Sequence, residues 1–358
     1  MGGGQTVLLQ MVGAALERGA QVKVMAPGGG ELESAARGLG IEWESLPPLE
    51  MGSGKKSLRD FWRFSLYARV TLRLLRPQLE RFDRVIVNGP RMLPLVALAT
   101  GLVRARAASK VSYHIHVDHS IWIKKMVRFV VGFRSTRNVI FHSEYLYRAY
   151  RESCGDLAKA AVIENALSPK WSALEFTSTR EKADGILRVA CVGRISPEKG
   201  QDLLLEALAG IEGVELYLIG DPDFADRAYA DRLKRSAPRG VEFTGKSKDV
   251  LKTLRELGIQ VCVVPSRWEE PFGLVLIEAQ AASCIGVTSA TGGMADIARR
   301  TGSLVAHGVT ELREIIEKLK LMAAEDFKAL ARSQWEKTQA AYPPRSFSDR
   351  WWERLGLS

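Results

Sequence analysis

Two carboxylates stand eight residues apart in VVPSRWEEPFGLVLIEAQAA (263–282): Glu270 ahead of a glycine turn and Glu278 inside the apolar run after it. Residues 259–264 are apolar and partly β-branched, the pattern of a buried strand, and Pro265 ends them. Pro271 and Gly273 then suit the approach to a helix over LVLIEAQAA. The unpaired N–H groups and partial positive charge of such a helix start hold a phosphate or an electron-rich sugar oxygen without any lysine. Glu278, roughly two turns into this helix, is flanked by Leu276, Ile277 and Ala279. Its carboxylate either points into a cleft or is costly to bury, and a cleft avoids that cost. The bland alternative has Glu270 favouring the helix dipole and Glu278 on a solvated face.

A second constellation is cationic. The buried-strand pattern ILRVACV leads into GRISPEKG, where Arg194 and Lys199 sit five residues apart beside Gly193 and Gly200. Two cations on a short turn at the carboxyl end of a parallel strand can meet adjacent phosphoryl groups of a diphosphate. The competing reading is an exposed turn on which Glu198 pairs Lys199. Three of the five histidines, His114, His116 and His119, fall within six residues around Asp118 in KVSYHIHVDHS. His114 and His116 share one strand face while His119 lies past its end, and no Cys or Glu pattern closes a ligand set, so no metal is expected. Asp118 is a candidate to orient one of the three.

Glu270-Pro271-Phe272-Gly273-Leu274 followed by Glu278-Ala279 resembles the E-x7-E signature of retaining, nucleotide-sugar-dependent glycosyltransferases of the GT-B fold, family 4. GRISPEKG is similar to the same family's phosphate loop, and the resemblance extends over most of the chain. It implies that Glu278 binds the nucleotide ribose hydroxyls, that Glu270 holds the donor sugar, and that the Phe272, Gly273 and Leu274 amides face sugar and diphosphate. It further implies a histidine at the end of the KVSYHIHVDHS strand that contacts the donor sugar or the departing charge. His116 is the choice, with His114 and His119 as alternatives. The amides of Gly3 and Gly4 are implied near the donor phosphates, and Gly245 and Lys246 are candidates to line the base pocket or to form a plain surface turn. Asp221-Pro222-Asp223 imitates the acidic metal motif of the other nucleotide-sugar transferase fold but stands where this family has a simple Gly-Asp turn. Departures exist too: Ala166 replaces a usual glycine, and Asp296 follows Gly292-Gly293 where glutamate is usual.

These residues need a frame. Alternating strand and helix patterns in both halves predict an α/β protein with two doubly wound, Rossmann-like domains facing across a cleft. The expected divisions are an acceptor-side domain over 1–170, a polar linker over 171–185 and a nucleotide-sugar-binding domain over 186–335. A terminal segment over 336–358 carries Trp351 and Trp352 back to the first domain. The chain opens with a glycine loop (1–6) and a helix and has no strand before them, so the first sheet lacks its usual first strand; a start upstream of Met1 is the favoured explanation. From 309 to 342 the pattern is helical, and Pro343-Pro344 interrupts it.

Composition narrows the partners. Residues 1–170 hold 25 Lys and Arg against 14 Asp and Glu, and the remainder 26 against 27, so the net charge of +10 belongs to the first half. The arginine-rich stretch 55–82 and the basic-apolar stretch 121–134 suit an anionic membrane surface bearing a lipid-linked or glycan acceptor, or helices packed with their arginines extended to water. Four scattered cysteines read as reduced core residues. With no signal peptide and no membrane-length apolar run, a cytoplasmic protein is expected, peripheral on the inner face of the membrane.

The resulting expectation is transfer of a sugar from a UDP- or GDP-sugar with retention, needing no cofactor. A nucleotide-sugar epimerase of the same fold and a non-catalytic basic module for membrane or nucleic acid are the rivals, though no nucleic acid is expected. A retaining glycosidase would need its carboxylates about 5–5.5 Å apart, whereas eight helical positions rise about 12 Å.

Overall fold

The computed structural model describes residues 3–47, 58–89, 92–103, 109–177, 185–222, 226–247 and 249–357. Contacts divide the chain into two units, Met1–Glu164 with Ser348–Ser358, and Asn165–Phe347.

The first unit opens with α1 (Gly3–Leu16), β1 (Lys23–Pro27), α2 (Glu31–Gly38), β2 (Glu42–Leu46) and α3 (Leu58–Arg81). It continues through β3 (Val85–Asn88), α4 (Leu93–Val103), β4 (Val111–Ile115), α5 (Ile121–Val131), β5 (Thr136–Phe141), α6 (Glu144–Cys154) and β6 (Ala160–Val162). Strands β3-β4-β5-β6 form one parallel sheet, and β1-β2 a separate parallel pair. Among the described residues α1 precedes every strand, and the pair β1-β2 is not hydrogen-bonded to β3. All five residues of β4 are buried, as expected of a strand covered on both faces. Ser143 caps α6 by accepting from the Leu146 N–H at 3.1 Å. Gly3 and Gly4, expected in a loop, lie in the first turn of α1, so their N–H groups belong to a helix start.

In the second unit α7 (Pro169–Ser172) precedes β7 (Leu187–Val192), α8 (Gln201–Leu208), β8 (Val214–Ile219), α9 (Arg227–Ser236), β9 (Val241–Gly245) and α10 (Val250–Glu256). Then come β10 (Val261–Val264), α11 (Leu274–Ala281), β11 (Ile285–Thr288), α12 (Met294–Thr301), β12 (Leu304–Val305), α13 (Val309–Leu321) and α14 (Ala324–Ala341). Helix α15 (Pro344–Leu355) runs across the boundary of the two units. The sheet is parallel with order β12-β11-β10-β7-β8-β9. Growth from β7 proceeds outward to β9, and the chain then returns to place β10 on the other flank of β7. The β7/β10 seam is therefore the switch point, where loops leaving adjacent strands diverge and leave a crevice.

Two expectations need correction, and one is refined. Trp171, placed at the head of a polar linker, is buried against the second unit's core beside Leu167, Ile277 and Tyr342. Residues 176–177 are held as well: Phe176 packs on the core and the Thr177 N–H donates to Ser283 Oγ at 3.1 Å. The helical pattern of 309–342 is two helices, because Met322 and Ala323 turn extended. The stretch 178–184 lies outside the described residues, as do the glycine loop 52–56 and Asp223.

Residues 348–358 are tied to the first unit by polar contacts. Arg18 pairs Asp349, Arg84 donates to the Leu355 carbonyl, and Arg137 and Asn138 both donate to the Arg354 carbonyl at 2.9 Å. Trp351 is buried and Arg18 stacks over the ring of Trp352 at 5.5 Å. Cys191, Cys262 and Cys284 are buried thiols, and no disulfide joins the four cysteines. Among the described residues no helix is long and apolar enough to cross a membrane.

Candidate functional site

The switch point of the second unit brings two loops into backbone contact. After β7 the chain passes through Gly193 to a single 3-10 turn, Pro197–Lys199; after β10 it runs from Pro265 to Gly273. A Cβ on Gly200, which adopts φ +70°, would lie 2.1 Å from the Pro265 carbonyl oxygen. Only glycine allows that approach. The Glu198 carbonyl accepts from the Arg267 and Trp268 N–H groups at 2.8 and 3.2 Å and from Ser266 Oγ at 3.3 Å. The Arg267 guanidinium donates two hydrogen bonds to the Asp202 carboxylate, at 2.6 and 2.8 Å. Hence the cationic loop and the acidic loop form one body.

Within it Lys199 Nζ forms an ion pair with Glu270 Oε1, and Ser266 Oγ donates to the same oxygen at 3.0 Å. Arg194 is held from two sides, pairing Glu198 and reaching Asp226 at 3.6 Å. Its carbonyl accepts from buried Gln201 at 2.8 Å. The expected alternative partner was wrong in detail: Glu198 meets Arg194, and Lys199 is left for Glu270.

Glu278 lies on α11, just over one turn from its start and not the two turns expected. It is half-buried among apolar neighbours, and among the described residues its carboxylate has no hydrogen bond or ion pair. Burial accordingly pushes its pKa up to about 7. Beneath the Glu270-Pro271 backbone a Gly292-Gly293 turn packs so closely that a Cβ on either glycine would come within 2.5 Å of a carbonyl oxygen. The Gly293 N–H donates to the Glu270 carbonyl at 2.6 Å. Phe272 is buried edge-on to Tyr342, and Gly273, at φ +113°, turns the chain into α11. Gly245, also at positive φ, bridges Gly220, while Lys246 is exposed on the following turn.

The first unit holds a separate cluster at the carboxyl ends of β3, β4 and β5. His116 Nε2 meets Asn88 Oδ1, and Asn88 Nδ2 donates to the Gly4 carbonyl at 3.2 Å. The His116 ring stacks on His142, with centroids 4.2 Å apart and planes 8° from parallel. His142 Nε2 in turn lies 3.2 Å from His114 Nδ1. Burial holds His114 well below the usual histidine range and lowers His116 to about 4, so both rings are neutral at pH 7. Asp118 orients none of them: it pairs with Lys124 at 2.8 Å and accepts from the His119 backbone N–H at 3.0 Å.

Asn88 and His142 are absent from the sequence reading. The signal for His142 was the register, since Ile115 opposes Phe141 and the next residues on each strand are His116 and His142. Nitrogens of His114, His116 and His142 lie within 4.8 Å of one another and are the described side chains that could gather round a metal ion. The stacked pair, however, aims its ring-plane lone pairs along parallel planes, and one ring must turn before both could reach an ion about 2 Å from each.

Residues 1–171 match the family model described as Glycosyltransferase Family 4, and residues 177–334 match Glycosyl transferases group 1. The chain belongs to glycosyltransferase family 4. His116 falls in the first matched segment, and Arg194, Lys199, Glu270 and Glu278 in the second. The D-inositol 3-phosphate glycosyltransferase of Mycobacterium tuberculosis is 34% identical over 171 residues, 43% of this chain and 35% of that protein. This family member thus spans about a third of the length of the curated relatives it matches. Among solved structures, HepE of Anabaena in complex with UDP and glucose superposes with a TM-score of 0.80 at 19% identity, covering 100% of this chain and 96% of the other. A glycosyltransferase from Rickettsia africae gives 0.76 at 15%, covering 99% and 95%. WaaG, a glycosyltransferase involved in lipopolysaccharide biosynthesis, gives 0.69 at 15%, covering 100% and 97%. At these identities the likeness is one of fold, and the fold is GT-B.

Proposed function

We propose that this family member transfers a glycosyl group from a nucleoside diphosphate sugar to an acceptor hydroxyl, with retention at the anomeric carbon. The observation that carries this reading is the Lys199–Glu270 contact at the switch point, which puts a phosphate-binding cation beside a carboxylate suited to sugar hydroxyls. Breaking the bond from the anomeric carbon to the phosphate leaves negative charge on the departing diphosphate. Arg194 and Lys199, prepositioned by Glu198, Asp226 and Glu270, stabilise that charge, with the Phe272, Gly273 and Leu274 amides at the start of α11. Glu278 accepts from the ribose hydroxyls, and Gly245 and Lys246 border the base. Two fixed cations take the place of a metal. His116, neutral at pH 7, accepts a sugar hydroxyl.

The acceptor is a lipid-linked or growing glycan at the inner face of the membrane. Helix α5 supports this: Trp122 is 77% and Phe129 69% exposed, with Ile121, Lys125 and Arg128 on the same short helix. Lys125 lies over the Trp122 ring at 5.6 Å, a basic-aromatic arrangement suited to anionic headgroups.

A thermal-shift series with UDP, GDP and their sugars identifies the donor, and NMR of the glycosylated product gives the anomeric configuration. Lys199→Ala is expected to lower kcat about 10²–10³-fold while the fold is kept. EDTA is expected to leave turnover unchanged. Inverted product, or unchanged turnover in Lys199→Ala, refutes the mechanism; epimerised sugar without acceptor favours the epimerase.

A further inference from the structure

Asn88, the last residue of β3, touches both the first helix and the histidine cluster. Its amide could be drawn either way round, but its surroundings allow only one orientation. The Gly4 carbonyl offers lone pairs and no hydrogen, so the amide nitrogen must face it, 3.2 Å away. The amide oxygen then faces His116 Nε2. Because that oxygen only accepts, Nε2 must carry the hydrogen, and a neutral imidazole with hydrogen on Nε2 keeps its lone pair on Nδ1. Among the described residues no hydrogen bond reaches His116 Nδ1.

The ring has little freedom to change this. His142 covers one face at 4.2 Å, and His142 is itself engaged by His114 at 3.2 Å. On the α1 side, the His116 ring lies 3.7 Å from where a Cβ on Gly4 would stand, so the ring occupies the space next to the helix.

We infer that Asn88 is a positioning residue: through its bridge to Gly4 it locks His116 as the Nε2–H tautomer and leaves Nδ1 as an acceptor for a substrate hydroxyl. A substrate group bound there must donate, and the ring supplies no proton from Nδ1. The identity of that group rests on the sugar-transfer reading above; the tautomer does not.

Long-range 1H–15N correlation spectra of the 15N-labelled full chain at pH 7 test this, with His116 assigned by comparison with His116→Gln. The native protein is expected to show the Nε2–H pattern. Asn88→Ala is expected to shift His116 to a mixture of tautomers and to lower kcat. Asn88→Asp, whose carboxylate still accepts from Nε2–H but cannot donate to the Gly4 carbonyl, is expected to keep the Nε2–H tautomer while losing the tie to α1. An Nδ1–H pattern in the native protein, or an unchanged His116 pattern in Asn88→Ala, overturns the inference. Should Asn88→Ala not fold, the native and Asn88→Asp spectra decide it. The native pattern and its shift in Asn88→Ala, found in a protein that transfers no sugar, would support the lock and refute the transferase reading instead.

Discussion

Glu278 illustrates how burying a single acidic side chain makes stability depend on pH. Its carboxyl is pushed up to about 7 because burial disfavours the charged form. The folded chain therefore holds that proton more tightly than the unfolded chain, whose value lies near 4.5. As pH rises from the unfolded value through 7, the group's contribution to stability falls, by up to ~3 kcal/mol over the whole span. Glu278→Gln should remove that slope: urea denaturation from pH 5 to 8 is expected to show the native protein losing stability relative to the variant. Parallel curves for the two proteins would contradict the burial of this acid. The same environment leaves the carboxylate in want of hydrogen-bond donors, which ribose hydroxyls would supply.

At the level of elements, α11 carries Glu278 and is oriented by a buried polar network. Gln280 Nε2 donates to Ser303 Oγ at 2.9 Å and to Gln334 Oε1 at 3.0 Å, and Thr338 Oγ1 donates to Gln280 Oε1 at 3.0 Å. Gln334 Oε1 also accepts the Gly286 N–H at 2.7 Å, so one side chain on α14 ties β11 to α11. With every member satisfied, such a network fixes a helix rotation that apolar packing alone would leave loose. Truncation by Gln334→Ala strands a backbone N–H and an amide in the interior. The expected loss is about 2–4 kcal/mol in chemical denaturation. A loss below 1 kcal/mol would mean that water replaces the glutamine without cost, and α11 would then owe its orientation to Leu276 and Ile277 packing.

For the molecule as a whole, the uneven charge is the property that reaches furthest. The excess of 25 basic over 14 acidic residues lies within 1–170, and the remainder is close to balanced. Combined with the exposed Trp122 and Phe129 on α5, it predicts adhesion to anionic vesicles. Flotation with phosphatidylglycerol vesicles is expected at low salt and should be lost at about 1 M salt, where the screening length is about 3 Å. Paired substitution of Trp122 and Phe129 by alanine should weaken it at every salt concentration. If the native chain stays in the pellet fraction with anionic vesicles at low salt, the membrane proposal fails.

Much of this protein could be read without coordinates, and the reason is local chemistry. Short apolar runs ended by glycine or proline, such as 259–265, announce buried parallel strands, and the loops between them show their cations and carboxylates openly. From this came the α/β plan with parallel sheets in both halves and the charged groups of the loops after β7 and β10. Which partner each charge takes was beyond such reasoning. Glu198 takes Arg194 within its own loop, and Lys199 is left for Glu270, 71 positions on in the chain, because the order of β10 beside β7 sets their two loops against each other. Likewise Trp171 looked like linker until the core of the second unit covered it, and His142 acquired a role only when the β4/β5 register laid it against His116. Sequence, then, determined the elements and the chemical groups at their ends, since both follow from neighbours along the chain. Tertiary structure alone decided pairings, tautomers and shifted acidities, since those depend on distances between atoms that the chain keeps far apart until it folds.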